Sequence, residues 1–359
     1  KALDIESKGI TLLSPVFDLD FGQEAMASAM LGLSKILGIP KPFCAKALLS
    51  GAMAVRRHTA AVEKQGKALL ATLRPDDKVL VLITRNYGVS DPILNMGIPE
   101  LLLERGYKVI TLSHLPGHAL DISDEYDNLY YPFGQHILSG AKLIAHHPNL
   151  YAVYLTNHGC GPDTMLSHLF KQEMGDKPYL QIEVDEHFSN VGVITRIEAF
   201  LNSLNHRPVE VLPKDFVLEQ VDIHPCHLPA VPEKDFPLWL PPLGEYTASL
   251  TGYFRAQGVD AHALPHLSAH ALSLGCAETS AKEYLPFPAL LGGILAQQEV
   301  DPAPAQFLIP QTQGAEADGQ YARVIRAVLD RRKELNAQLV SPMPVSYTHL
   351  RAHETPEHL

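Results

Sequence analysis

Apolar and polar positions divide this chain into stretches of different rhythm. Up to about Ala71 the apolar residues recur at helical spacing. Residues 22–37 are rich in Ala, Met and Leu, and 44–65 continue the pattern beyond the Pro40-Lys41-Pro42 break. Within that stretch Arg56-Arg57-His58 reads as a solvated helix face. From residue 78 short apolar runs alternate with helical ones. The run KVLVLIT at 78–84 is continuously apolar, the pattern of a strand covered on both faces of a parallel sheet. A loop at 85–92, a helix at 93–105 stopped by Gly106 and a strand at 107–112 are expected next. A loop through 114–128 leads to a helix at 134–145, a strand at 150–155, a helix at 164–174, a strand at 179–184 and a helix at 192–204.

Residues 205–236, rich in Pro, Glu, His and Asp, read as a linker. A second alternating set follows: strands at 236–240, 259–264, 306–309 and 337–340, with helices at 246–257, 268–298 and 319–333. Alternation of this kind gives parallel sheets. The expected architecture is therefore α/β, two Rossmann-like parallel-sheet domains with a helical N-terminal segment. Its divisions are 1–71 (helical), 72–205 (first α/β domain), 206–235 (linker) and 236–342 (second α/β domain). Residues 343–359 are set apart. The tail from Val345 to Thr355 resembles translated sequencing-adapter read-through, so its histidines, with His358, are left out of any metal site, and both ends of the chain are expected to be incomplete.

In parallel sheets ligands gather at the strands' C-terminal ends. Here those ends carry Arg85, Asn86, Asp91, Asn157, Cys160, Asp163, Asp185, Glu186 and His187. The turn Thr156-Asn157-His158-Gly159-Cys160-Gly161-Pro162-Asp163 stands out, because it places a cysteine between two glycines where a strand passes into a helix. A helix N-terminus stabilises a thiolate, the form that ligates metal or attacks an electrophile, and Asp163 can cap the helix. A Gly-rich turn with a buried, inert thiol fits the same letters. Asp185-Glu186-His187 reads either as an acid/base set or as a helix cap with solvated carboxylates. His146-His147, before Pro148, is expected on the surface at a helix end. Arg85, Asn157 and Lys282 are further polar contacts available to a ligand.

Composition narrows the function classes. A net charge of −11 argues against a nucleic-acid partner, which would need clustered Lys and Arg. No run approaches the roughly 20 apolar residues of a membrane helix, and a cytoplasmic protein is the expectation. The four cysteines, Cys44, Cys160, Cys226 and Cys276, form no CxxC pair, so a zinc ribbon is not expected. His224-Pro225-Cys226-His227 is too compressed to supply three ligands from one regular element. Nucleotide-binding GxGxxG and GxxxxGK[ST] loops and the GxSxG elbow of hydrolases are missing from the residues given.

Several blocks together resemble one family. VLITRNYGVSDPILN (81–95), TNHGCGPD (156–163), KPYLQIEVDEHFSNVGVITRIEAFL (177–201), FRAQGVDAHALP (254–265), TSAKEYLPF (279–287) and IPQTQGAEADGQY (309–321) are similar, in order, to the C-terminal part of the activator-related proteins of the 2-hydroxyacyl-CoA dehydratase system. The likeness covers roughly residues 10–342. It implies an iron-sulfur module, a 4Fe-4S cluster held by cysteines between Rossmann-like domains, and low-potential electron transfer to an acyl-CoA-type reaction. Implied partners are an ATPase activator domain or a dehydratase subunit, and an acyl-CoA. Cys160 matches the family's cluster-ligand turn, and Cys276 is a second candidate ligand, with Cys44 and Cys226 behind it. Arg85, Asn157 and Asp163 would border the cofactor. Two family cysteine positions are occupied here by Tyr284 and Glu316, where the family usually reads GKEC and GPCRFGQY. A cubane takes three or four ligands, usually thiolates. The alternative implied by those departures is a cluster-less paralogue acting as a binding or assembly scaffold.

Overall fold

The computed structural model describes residues 9, 12–14, 16, 22–117, 119–126, 128, 129, 131–157, 161–184, 190–208, 211–213, 216–312 and 317–342. Two compact units make up the chain, Lys1–Leu70 and Ala71–Leu359. The first contains helices α1 (Gly22–Leu37) and α2 (Lys41–Leu70). The expected break is confined to 38–40, because Pro42 falls in the first turn of α2, where its missing N–H costs nothing. Cys44 is buried on α2, and Arg56, Arg57 and His58 are exposed.

The second unit holds two four-stranded, all-parallel sheets, with orders β2-β1-β3-β4 and β6-β5-β7-β8. In the first, β1 (Val79–Ile83), β2 (Lys108–Thr111), β3 (Leu150–Asn157) and β4 (Leu180–Val184) alternate with α3 (Asn86–Ser90), α4 (Ile98–Glu104), α5 (Pro132–His146), α6 (Pro162–Met174) and α7 (Asn190–Asn205). Every residue of β1 is buried, as the continuous apolar run required. Leu80, Leu82, Val153 and Ile182 face a core with Ile98 and Leu102 of α4 and Ile197 and Leu201 of α7. Alternate residues face the other way, where Tyr154 packs on Phe170 of α6 with ring centroids 4.7 Å apart. Each fully buried Leu or Ile contributes about 1.5–3 kcal/mol.

The second sheet comprises β5 (Leu238–Leu240), β6 (Ala261–Ala263), β7 (Ala305–Leu308) and β8 (Ala337–Val340), with α8 (Glu245–Ala256), α9 (Ala269–Ala277), α10 (Pro286–Val300) and α11 (Tyr321–Arg331). Both sheets thus repeat one connectivity, and the α/β class with a helical N-terminal segment is as the alternation required.

Three local expectations are corrected. The helix read at 93–105 starts only at Ile98, and the loop read at 85–92 contains α3. Asp91 Oδ1 accepts the N–H groups of Ile93 and Leu94 at 2.8 and 3.1 Å, and Asn95 Oδ1 that of Gly97 at 3.0 Å. These short side chains hold the backbone in turns instead of a helix. Gly106 does stop α4, its N–H bonding Leu103 O at 2.9 Å with φ at 83°. The helical region read at 268–298 is two helices: α9 ends at Ala277, the Ser280 and Lys282 N–H groups are taken by the Glu283 carboxylate at 3.0 and 3.1 Å, and Pro286 and Pro288 fall in the first turn of α10, where their missing N–H groups are tolerated. Lastly, His147 is buried rather than on the surface.

The two sheets are joined within this unit. Asn128 Nδ2 donates to Thr312 O and Gly319 O at 2.8 and 2.9 Å. Lys142 Nζ lies 2.8 Å from Glu125 Oε2 and 2.9 Å from Glu173 Oε2, all three side chains nearly closed off from solvent. Arg323 of α11 donates to Glu125 O at 3.2 Å and lies over the Tyr126 ring, whose hydroxyl bonds Glu173. The described part of 206–235 has no helix or strand after α7, and is tied down by bonds such as Cys226 N–H to Asp124 O at 3.1 Å.

Candidate functional site

The strand order places the switch point of the first sheet between β1 and β3, where successive connections leave in opposite directions and ligands are characteristically held. Register brings Ile83 beside Tyr154, so Arg85 emerges next to the end of β3 and the start of α6. Its Nη2 lies 2.9 Å from Oδ1 of the buried Asp163, and its guanidinium carbon 4.7 Å from the centre of the Phe133 ring. Burial opposes the Arg85 charge, but the hydrogen bond and attraction of Asp163 outweigh it and hold the guanidinium protonated. Asp163 also stands in the first turn of α6, where a negative charge complements the helix dipole. Thr156, at the end of β3, is 1% exposed and its hydroxyl has no hydrogen-bond partner among the described residues.

A loop from the second half closes on this edge. Between α9 and α10, Glu283 is buried and gathers four groups: His168 Nδ1 at 2.6 Å, the Ser280 N–H and hydroxyl both at 3.0 Å, and the Lys282 N–H at 3.1 Å. Burial alone would raise the Glu283 carboxyl, yet the hydrogen bond from His168 and those from the backbone and Ser280 hold it below the usual carboxylate range. Lys282 forms an ion pair with Glu183 of β4. Tyr284, itself exposed, adds a further tie, its hydroxyl oxygen accepting the Gly161 N–H at 2.8 Å.

Of the residues singled out in the sequence, Arg85 and Asp163 are brought together. Asn157 ends β3, and its side chain lies outside the described residues. Cys160, Asp185, Glu186, His187 and Glu316 also lie outside them. Cys276 is exposed at the end of α9, and Cys44 is buried in the first unit. Among the described residues no group of three or more His, Cys, Asp or Glu is placed to hold a metal ion, the 224–227 cluster included. The sequence reading missed His168, Glu183 and the buried carboxylate of Glu283. Nothing local marks them, since His168 and Glu283 stand 115 residues apart.

The comparison with known families adds one finding. Residues 1–115 match the family model described as the CoA enzyme activase uncharacterised domain. That stretch is similar to an activase-related domain. It runs from the N-terminal helices through β1 and β2, and the blocks at 156–163, 177–201 and 279–321 lie beyond it. No curated protein and no solved structure matches the chain. No helix among the described residues is long and apolar enough to cross a membrane.

Proposed function

We propose that the chain is an activase-related component of a 2-hydroxyacyl-CoA dehydratase-type system, working as a cluster-less binding or assembly module. Its contact face is the edge built by Arg85, Asp163 and the 279–284 loop, and its partner is a dehydratase subunit or an ATPase activator domain serving an acyl-CoA reaction. The observation that carries this reading is Tyr284. It stands at a position where the resemblance implies a cysteine, and its hydroxyl is engaged by the backbone of Gly161, next in sequence to Cys160.

The other reading, a 4Fe-4S module for low-potential electron transfer, draws on Cys160 and the TNHGCGPD block. A cubane is held mainly by thiolates. The family positions supply here Cys160, Tyr284 and Glu316, and Cys276 is exposed at the end of α9. This donor set does not fit such a cluster, so no electron-transfer step is assigned to it.

Anaerobic incubation of the protein and of Cys160→Ser with iron and sulfide, followed by metal analysis and EPR, tests the choice. The expected product is colourless in both. A brown protein with about four iron atoms per chain, lost in Cys160→Ser, would overturn the proposal. Titration of a purified 2-hydroxyacyl-CoA dehydratase by calorimetry tests the partner: binding weakened by Lys282→Ala is expected, and no heat of binding removes the assembly role.

A further inference from the structure

We infer that the second sheet carries its own binding site, for an uncharged apolar small molecule or the uncharged tail of a larger one, at the switch point between β5 and β7. The inference is independent of the proposed function, which concerns the first sheet. Because the two sheets share one strand order, the second has a corresponding crevice at the C-terminal ends of β5 and β7. A cavity of about 830 Å³ lies there, within the size range of small-molecule sites. Its floor is formed where the strands end, by Pro241 and Leu243 after β5, Leu264 after β6 and Ile309 after β7.

One wall is a face of α10 on which Ala289, Gly293 and Ala296 follow one another at helical spacing. Their small side chains leave the space open. A Cβ built on Gly293 would meet only Leu264 Cδ1, at 3.7 Å, an ordinary contact.

Charge decides the class of ligand. No Lys or Arg lines the cavity among the described residues; its basic side chains are the imidazoles of His266 and His270, the latter engaged by Glu299, so a phosphate or carboxylate inside it would meet neither ammonium nor guanidinium. The two carboxylates present already have partners: Glu299 Oε2 lies 2.7 Å from His270 Nε2, and Asp318 Oδ1 accepts the Thr312 hydroxyl at 2.8 Å. With the carboxylates so engaged, what remains is mainly hydrocarbon surface, which favours apolar matter and penalises an unpaired charge.

The test is fluorescence titration of the full chain with N-phenyl-1-naphthylamine, an uncharged probe, followed by displacement with octanol and with octanoate. The variants are Gly293→Leu, which fills the cavity, and Gly252→Leu, on α8, where an added Cβ meets nothing within 4 Å. Saturable probe binding is expected, with octanol displacing better than octanoate. Gly293→Leu should weaken it about tenfold or more while Gly252→Leu binds as the parent does, and circular dichroism should show both folded. Failure of the parent to bind, or equal binding by a folded Gly293→Leu, would overturn the inference. Preferential displacement by octanoate would overturn the uncharged class.

Discussion

Glu283 holds its own loop together through Ser280 and Lys282 and ties it to the first half through His168. Four donors converge on its carboxylate, and removing it would leave His168 and two backbone N–H groups facing a void. Glu283→Ala is expected to lower stability by about 3 kcal/mol, with Glu283→Gln losing less because an amide oxygen keeps part of the set. Urea unfolding measures both, and a change under about 1 kcal/mol for the alanine variant would contradict this account. His147 gives the pH dependence. Burial, then the charges of Lys177 and His146, push its pKa from 6.5 down to about 4. Its Nδ1 accepts the Asn149 N–H at 3.1 Å. Between those two values the unfolded chain binds the proton and the folded one does not, so stability is complete above about 6.5 and falls as pH drops toward 4. The loss approaches 2–3 kcal/mol, and His147→Gln should flatten the pH slope of the urea midpoint in that window. The identity of these residues is plain in the sequence, but their burial is not. Histidine before a proline at a helix end looks solvent-facing, whereas in the fold Phe216 packs edge-on against its ring at 5.3 Å and Lys177 bonds its backbone oxygen.

At the scale of elements the tightest joint is α9 against α10. A Cβ on Gly292 would fall 1.9 Å from Ala271 O, and one on Gly275 1.8 Å from Pro288 O, so the two backbones touch through paired glycines. Gly292→Ala should cost about 2–3 kcal/mol because a helix must move. Gly293→Ala, one residue on, should be neutral or stabilising by up to about 1 kcal/mol through helix propensity. Thermal melts of the two variants side by side would check this, and equal effects would refute the backbone contact. Strand identity was readable because a strand covered on both faces is built mainly of apolar residues, as β1 is throughout and β3 is up to Leu155. The split of 93–105 was less so: Asp91 and Asn95 look compatible with a helix until their side chains are seen bonding the backbone.

For the molecule as a whole, the Glu125-Lys142-Glu173 cluster, Arg323 and Asn128 couple the two sheets. The single tryptophan, Trp239, lies on β5 and reports only on the second. Lys142→Ala removes the cation shared by two buried carboxylates and leaves Glu125 with Arg323 at 3.5 Å, a loss of about 3 kcal/mol. If the sheets unfold together, the Trp239 fluorescence midpoint must shift by the same amount as far-UV dichroism, although residue 142 belongs to the first sheet. An unchanged tryptophan transition would mean that the halves unfold separately.

The alternation of helices and strands and the parallel class followed from the sequence, because periodicity and burial on both faces are local properties of the chain. Which distant residues meet did not. Tyr284 reaching Gly161 and Glu283 reaching His168 depend on how segments more than a hundred residues apart are folded onto one another, and the open cavity beside α10 on how the strand ends of the second sheet meet that helix. Those pairings come from long-range packing, which leaves no repeat or spacing in the letters.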